Sequence, residues 1–180
     1  MRHVMVDLET LGTVPGCCIL SIGACAFDPD TGEVSDDTFY TAIDTDSQAA
    51  HGMTQSPSTL AWWAKQSEEA RRVFTDPDRQ ELPQALVAFN AWLAKFPNVL
   101  VYGNGADFDN PILAAAYDVA GVPQGWKPYN GRCYRTLKAL APSLKLVREG
   151  THHNALGDAI SQAKHLCAIV TASGGLLNLA

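Results

Sequence analysis

Val4-Met5-Val6-Asp7-Leu8-Glu9-Thr10 is an apolar run broken twice by carboxylates. Its composition reads as a buried strand, and side chains two apart on a strand share a face, so Asp7 and Glu9 point together while Leu8 points away. Two like charges held side by side out of water are costly and raise each other's pKa, unless a cation supplies the missing positive charge. A divalent metal meets that need, because hard cations prefer carboxylate oxygens. The bland alternative is an exposed edge strand or a turn carrying two solvated acids, and the tripeptide alone does not separate the two.

Working outward, segments 3–8, 18–28 and 33–43 read as three successive strands. Gly12, Pro15-Gly16 and Asp28-Pro29-Asp30-Thr31-Gly32 punctuate them, the last favouring a tight hairpin. Residues 57–74 read as helix in two short pieces. A longer helix is predicted from Pro83 to Lys95, where Leu82, Ala85, Leu86, Phe89, Leu93 and Phe96 recur at three- and four-residue intervals. Val99–Tyr102 is a buried strand, followed by a helix from Phe108 or Asp109 to Ala120 that stops before Gly121. Residues 132–141 are predicted as a helix ended by Pro142. A final helix starts near Asn154, its N-cap, and runs to Ala172 with Ala155, Ala159, Ala163, Leu166, Cys167 and Val170 as its apolar stripe. Three antiparallel strands followed by alternating helices and strands make a mixed α/β domain, and 180 residues suit a single domain spanning 1–180.

With 47% hydrophobic and 18% charged residues the chain is an ordinary globule rather than a disordered one. It carries no run of 18 apolar residues and no signal-peptide pattern, which predicts a cytoplasmic protein with no membrane partner. Five cysteines, including the adjacent Cys17-Cys18 and no C-x-x-C, argue against a zinc knuckle or a disulfide framework. Net charge of −6 argues against broad coating of nucleic acid, which normally needs a basic face. The cations are nevertheless clustered: Lys127, Arg132, Arg135, Lys138, Lys145 and Arg148 lie in an interval free of Asp and Glu. Such a stretch can line a groove for phosphates or form a solvated helix face.

Two further acidic sites stand in Gly103-Asn104-Gly105-Ala106-Asp107-Phe108-Asp109-Asn110 and His153-Asn154-Ala155-Leu156-Gly157-Asp158. Asp107 suits a helix cap, satisfying free N–H groups. Five residues on one helix turn through about 500°, so His153 and Asp158 diverge by about 140° if both are helical. A helix starting at Asn154 resolves this, with Asp158 in its first turns and His153 on the preceding loop. Gly150 and Thr151 make that loop a candidate for motion, and His152 reads as a solvated neighbour.

Taken together, Asp7-Leu8-Glu9-Thr10-Leu11-Gly12, Ile19-Leu20-Ser21-Ile22-Gly23-Ala24, Ala61-Trp62-Trp63, Gln66-Ser67, Phe108-Asp109 and His153 to Asp158 resemble the DEDDh-type 3′–5′ exonucleases. The likeness is to their compact exonuclease VIII-like and mycobacterial exoribonuclease-like group, and it covers nearly the whole chain. It implies a ribonuclease H-like sheet flanked by helices, and a 3′–5′ exonuclease releasing nucleoside 5′-monophosphates from single-stranded RNA or DNA ends. It also implies two Mg²⁺ or Mn²⁺ ions ligated by Asp7, Glu9 and Asp158, with Asp7 bridging and Asp109, which follows Phe108 as the family's second-motif acid does, acting directly or through water. His153 becomes the general base. Thr10 and Leu11 are implied to meet the terminal nucleotide through a backbone amide and an apolar wedge. Arg132 and Arg135 are candidate phosphate ligands, with salt bridges on a helix surface as their alternative. Trp62 and Trp63 can stack on bases, sit in the core or form a subunit contact, and a homodimer is expected. Gly157 departs from the pattern, standing where close relatives carry a second acid. Against the nuclease reading stand a catalytically silent nucleic-acid-binding domain and a nucleotide phosphoesterase. Retention of both strand acids, Asp109, His153 and Asp158 argues against the former, and the basic interval against the latter.

Overall fold

In the computed structural model, which describes residues 1–148 and 153–174, a five-stranded sheet runs in the order β3-β2-β1-β4-β5. Strands β1 (His3–Thr10), β2 (Ile19–Asp28) and β3 (Glu33–Ala42) form an antiparallel meander, and β4 (Leu100–Gly103) and β5 (Gly131–Cys133) add in parallel on the other side of β1. The acid-bearing strand is therefore central and paired on both edges. Between Glu9 and Thr10 the register with β2 slips, a bulge of the kind that re-aims the side chain beside it.

Alternation along β1 sorts two cores. Val4, Val6 and Leu8 face the larger one, built with α3 (Leu82–Leu93) and α4 (Asp109–Ala120) through Leu86, Phe89, Ile112 and Leu113. Met5 faces the other, with Tyr102, Tyr134 of α5 (Tyr134–Ala139) and Ala159, Ala163 and Leu166 of α6 (Ala155–Ala172). Each fully buried Leu, Phe or Met contributes about 1.5–3 kcal/mol, so both faces hold their helices firmly. Small alanines on α6 let that helix lie close to the sheet.

The predicted strands and long helices are present within a few residues. Segment 57–74 is indeed split, into α2 (Pro57–Trp63) and a 3₁₀ turn at Ala70–Thr75. Asn154 caps α6, its side-chain oxygen accepting from the Gly157 N–H at 3.0 Å. The helix predicted over 132–141 is corrected: residues 131–133 pair with Val101–Gly103 as β5, and α5 starts only at Tyr134. A three-residue strand is too short to display a period. The sequence reading also missed α1 (Thr45–Ala49), which Asp44 caps and whose buried Gln48 bonds both the N–H and the carbonyl of Ile19 at 2.7 Å. All five cysteines are unpaired. Among the described residues no helix is long and apolar enough to cross a membrane.

Candidate active site

Asp7 and Glu9 lie on the α6 face of β1, opposite Gly23 and Ser21 of β2. A Cβ at Gly23 would stand 2.2 Å from the backbone of Ala155 and Leu156. The bare glycine thus lets the first turn of α6 descend onto the sheet beside Asp7, which brings Asp158 to the strand acids. A second glycine does the same on the other flank: a Cβ at Gly103 would lie 2.8 Å from Cβ of Asp109. Asp109 opens α4 and is 1% exposed, its carboxylate accepting from the Leu8 N–H at 3.2 Å and the Asn104 N–H at 2.6 Å. Asp107 is exposed and caps nothing, for α4 has Phe108 as its N-cap and no side-chain cap.

His153 sits one residue before the cap of α6 with φ +62°. One ligand atom from each of Glu9, His153 and Asp158 falls within 4.8 Å of the others. The electrostatics reach further. Burial first, then the charges of Asp109 and Glu9, push Asp7 well above the ordinary carboxylate range. Glu9 is pushed up to about 8 by burial and by Asp158 and Asp109. Burial raises Asp109 to about 6, held back by its backbone N–H partners and Arg135. Glu9, His153 and Asp158 thus form the ligand cluster, and Asp7, half-buried, and Asp109, buried, stand close enough for their charges to be felt there. Two groups answer part of that charge: Arg148 donates to Asp158 Oδ1, and Gln162 Nε2 donates to Asp7 Oδ1 at 2.7 Å.

The other candidates are placed less uniformly. Thr10 is buried, its hydroxyl donating to the Gly12 carbonyl at 2.6 Å and its own carbonyl accepting from Trp63 Nε1 at 2.9 Å. Leu11 is packed into the core at 2% exposure, and its N–H donates to Cys18 O. The exposed apolar group near Thr10 is instead Trp62, whose ring meets His153 edge-on at 4.8 Å, while Trp63 is core. A cavity of 310 Å³ lined by Glu9, Thr10, Ser58, Trp62, Trp63 and Phe108 opens there. Arg135 approaches the second acidic segment, its Nε 3.5 Å from Asn104 Oδ1. Arg132 lies on β5 and donates to the carbonyls of Tyr129 and Gly131, away from the acids. Gly150, Thr151 and His152 lie outside the described residues. Gln162 escaped the sequence reading, and Gly23 and Gly103 stood inside quoted motifs without a role. Gln162 had a signal, standing four residues and one helical turn beyond Asp158.

Residues 2–170 match the family described as the 3′-5′ exoribonuclease Rv2179c-like domain. The chain belongs to that family. It is accordingly a 3′–5′ exonuclease, a hydrolase of phosphodiester bonds. No curated protein sequence matches it. Among solved structures, the Rv2179c-like chain resembles the nuclease domain of 3′hExo, a DEDDh family member bound to rAMP. Identity is 14%, coverage 97% of this chain and 94% of that one, and the TM-score 0.63. It also resembles Exonuclease X in complex with 5′ overhanging duplex DNA, at 17% identity over 96% and 93% with a TM-score of 0.56. E. coli Exonuclease I, in complex with a 5cy-dT13 oligonucleotide, matches at 15% identity and TM-score 0.62 over 96% of this chain but 41% of its own. These likenesses show that the chain shares the fold of those nucleases.

Proposed function

We propose that this Rv2179c-like domain removes nucleotides one at a time from single-stranded 3′ ends, RNA above all, using divalent cations held by Asp7, Glu9, Asp109 and Asp158. The observation that carries the reading is the convergence of those four carboxyl groups with His153 in one partly dry site. The donor set fits Mg²⁺ or Mn²⁺, for it is all hard oxygen apart from one imidazole, and its charge is tolerable only with cations present. Bound ions would neutralise phosphoryl oxygens and make water acidic enough to attack.

The chain's own groups supply the rest. Neutral His153 takes a proton from the attacking water, a task suited to an imidazole near neutral pH. Water oxygen joins phosphorus, the bond to the leaving 3′-oxygen breaks, and that oxygen gains a proton, leaving a nucleoside 5′-monophosphate and a strand shorter by one. The terminal nucleoside fits the cavity between Thr10 and Trp62, where the indole offers an aromatic face for a base. Arg135, beside Asn104, is the better placed of the two arginines for a phosphate. RNA is favoured by the family's description, and the DNA-bound neighbours make DNA the competing substrate.

Matched 5′-labelled RNA and DNA, single-stranded and duplex, incubated with Mg²⁺, Mn²⁺ or EDTA, test this directly. The expected result is a ladder shortening from the 3′ end of RNA with either metal and none in EDTA. Activity indifferent to EDTA would reject the metal reading, and a DNA-only ladder would reassign the sugar.

A further inference from the structure

Gln162 is buried in the second core at 2% exposure, on α6 one turn beyond Asp158. Four residues turn the helix through about 400°, so both side chains leave from nearly the same face, toward β1. The Gln162 amide donates to Asp7 Oδ1 at 2.7 Å and is the one side-chain donor to Asp7 among the described residues. Its own Oε1, equally buried, meets no partner.

That pairing of facts decides between two roles. A buried glutamine kept for packing would be poorly chosen, because it strands an unpartnered amide oxygen away from water, a cost that a methionine of similar shape avoids. The cost is offset only through the other end of the amide, the N–H given to Asp7. The orientation matters as well: the amide turns its donor end to Asp7, the arrangement that suits a carboxylate bound to a cation and therefore ionised.

We propose that Gln162 is a positioning residue: it pins Asp7 by one carboxylate oxygen and so keeps the other, Oδ2, presented to a divalent cation. The inference rests on the metal reading above. It also links two of the carboxylates mechanically, because α6 carries both Asp158 and the group that sets Asp7, and a shift of that helix moves both.

The test is Mn²⁺ titration calorimetry on wild type and Gln162→Met, with thermal unfolding of the metal-free proteins and steady-state kinetics on a 5′-labelled oligonucleotide. Loss of a hydrogen bond that orients a metal ligand typically weakens metal affinity 10–100-fold, and about that loss is expected here. kcat should fall with it while KM changes little, and the metal-free midpoint should move by only a few degrees. A merely structural glutamine would give the reverse, a shifted midpoint with unchanged Mn²⁺ affinity, and that result would overturn the proposal. Should Gln162→Met not fold, Gln162→Ala removes the same donor with no demand for space and is judged by the same titration. Wild type that binds no Mn²⁺ would bring down the metal reading itself, a failure distinct from equal binding by wild type and variant.

Discussion

His153 adopts a left-handed backbone, φ +62°, that a non-glycine residue enters at a cost of about 1 kcal/mol or more. It does so immediately before the cap of α6, where an ordinary helical conformation would carry the imidazole about 140° away from Asp158. Two chemical roles remain for it there, proton acceptor or metal ligand, since it stands within 4.8 Å of Glu9 and Asp158 atoms. They are separable. As a base, His153→Ala should lower kcat by about 10²–10⁴-fold with Mn²⁺ affinity nearly intact; a parallel fall in affinity measured by calorimetry would assign it to the metal instead. Asp158→Ala is expected to abolish shortening of a 5′-labelled oligonucleotide while the fold survives, checked by circular dichroism. At this scale the sequence was informative because the chemistry demands particular residue types at particular spacings: Asp7 and Glu9 two apart on a strand, His153 and Asp158 astride a helix start. Gln162 was only half legible: its place one helical turn beyond Asp158 is in the sequence, but the partner 155 residues away that its amide reaches is not.

The elements meet where side chains are missing. Gly23 and Gly103 carry no positive φ, so it is close approach and not backbone freedom that requires them. Gly23→Ala would drive a methyl into the Ala155–Leu156 backbone, which cannot swing aside as a side chain does. Overpacking of this kind typically costs about 1–3 kcal/mol, and here it also lifts the N-terminus of α6 from the sheet. The expected outcome is a lower unfolding midpoint together with loss of Mn²⁺ binding; a variant with wild-type activity would mean the helix is not seated by that contact. Gly103→Ala meets Asp109 Cβ, an atom that moves only with the α4 backbone, so it should displace that acid together with the start of its helix. Elements with a long period, such as α3 and α6, were readable from their apolar stripes. β5 and α1 were not: three and five residues hold no period, and each exists because a neighbour is already in place, β4 for one and the Ile19 backbone for the other.

For the whole molecule, the acid cluster makes stability depend on pH and on metal in a direction that can be worked out. Glu9 has a folded pKa of about 8 against an ordinary 4.5, so between those values the native protein holds a proton that the unfolded chain has lost, and stability falls as pH rises. Asp7 acts in the same direction. His3 and His165 oppose this below pH 6.5, because burial lowers both, and folding gains as they lose protons. Their contribution fades over about one pH unit above 6.5, so the carboxyl groups govern the upper part of the span from pH 6.5 to 8. Over that span Glu9 alone accounts for about 2 kcal/mol, at about 1.4 kcal/mol per pH unit, or about 4–8 °C in a chain of this size. Thermal unfolding in EDTA is therefore expected to show a midpoint that declines from pH 6.5 to 8. Saturating Mn²⁺ should raise the midpoint throughout and most at the higher pH, because the ions bind the ionised carboxylates that are otherwise penalised. A midpoint in EDTA that is flat or rising across the window would mean that the four carboxyl groups are each solvated, and the electrostatic basis for a shared metal site would be gone.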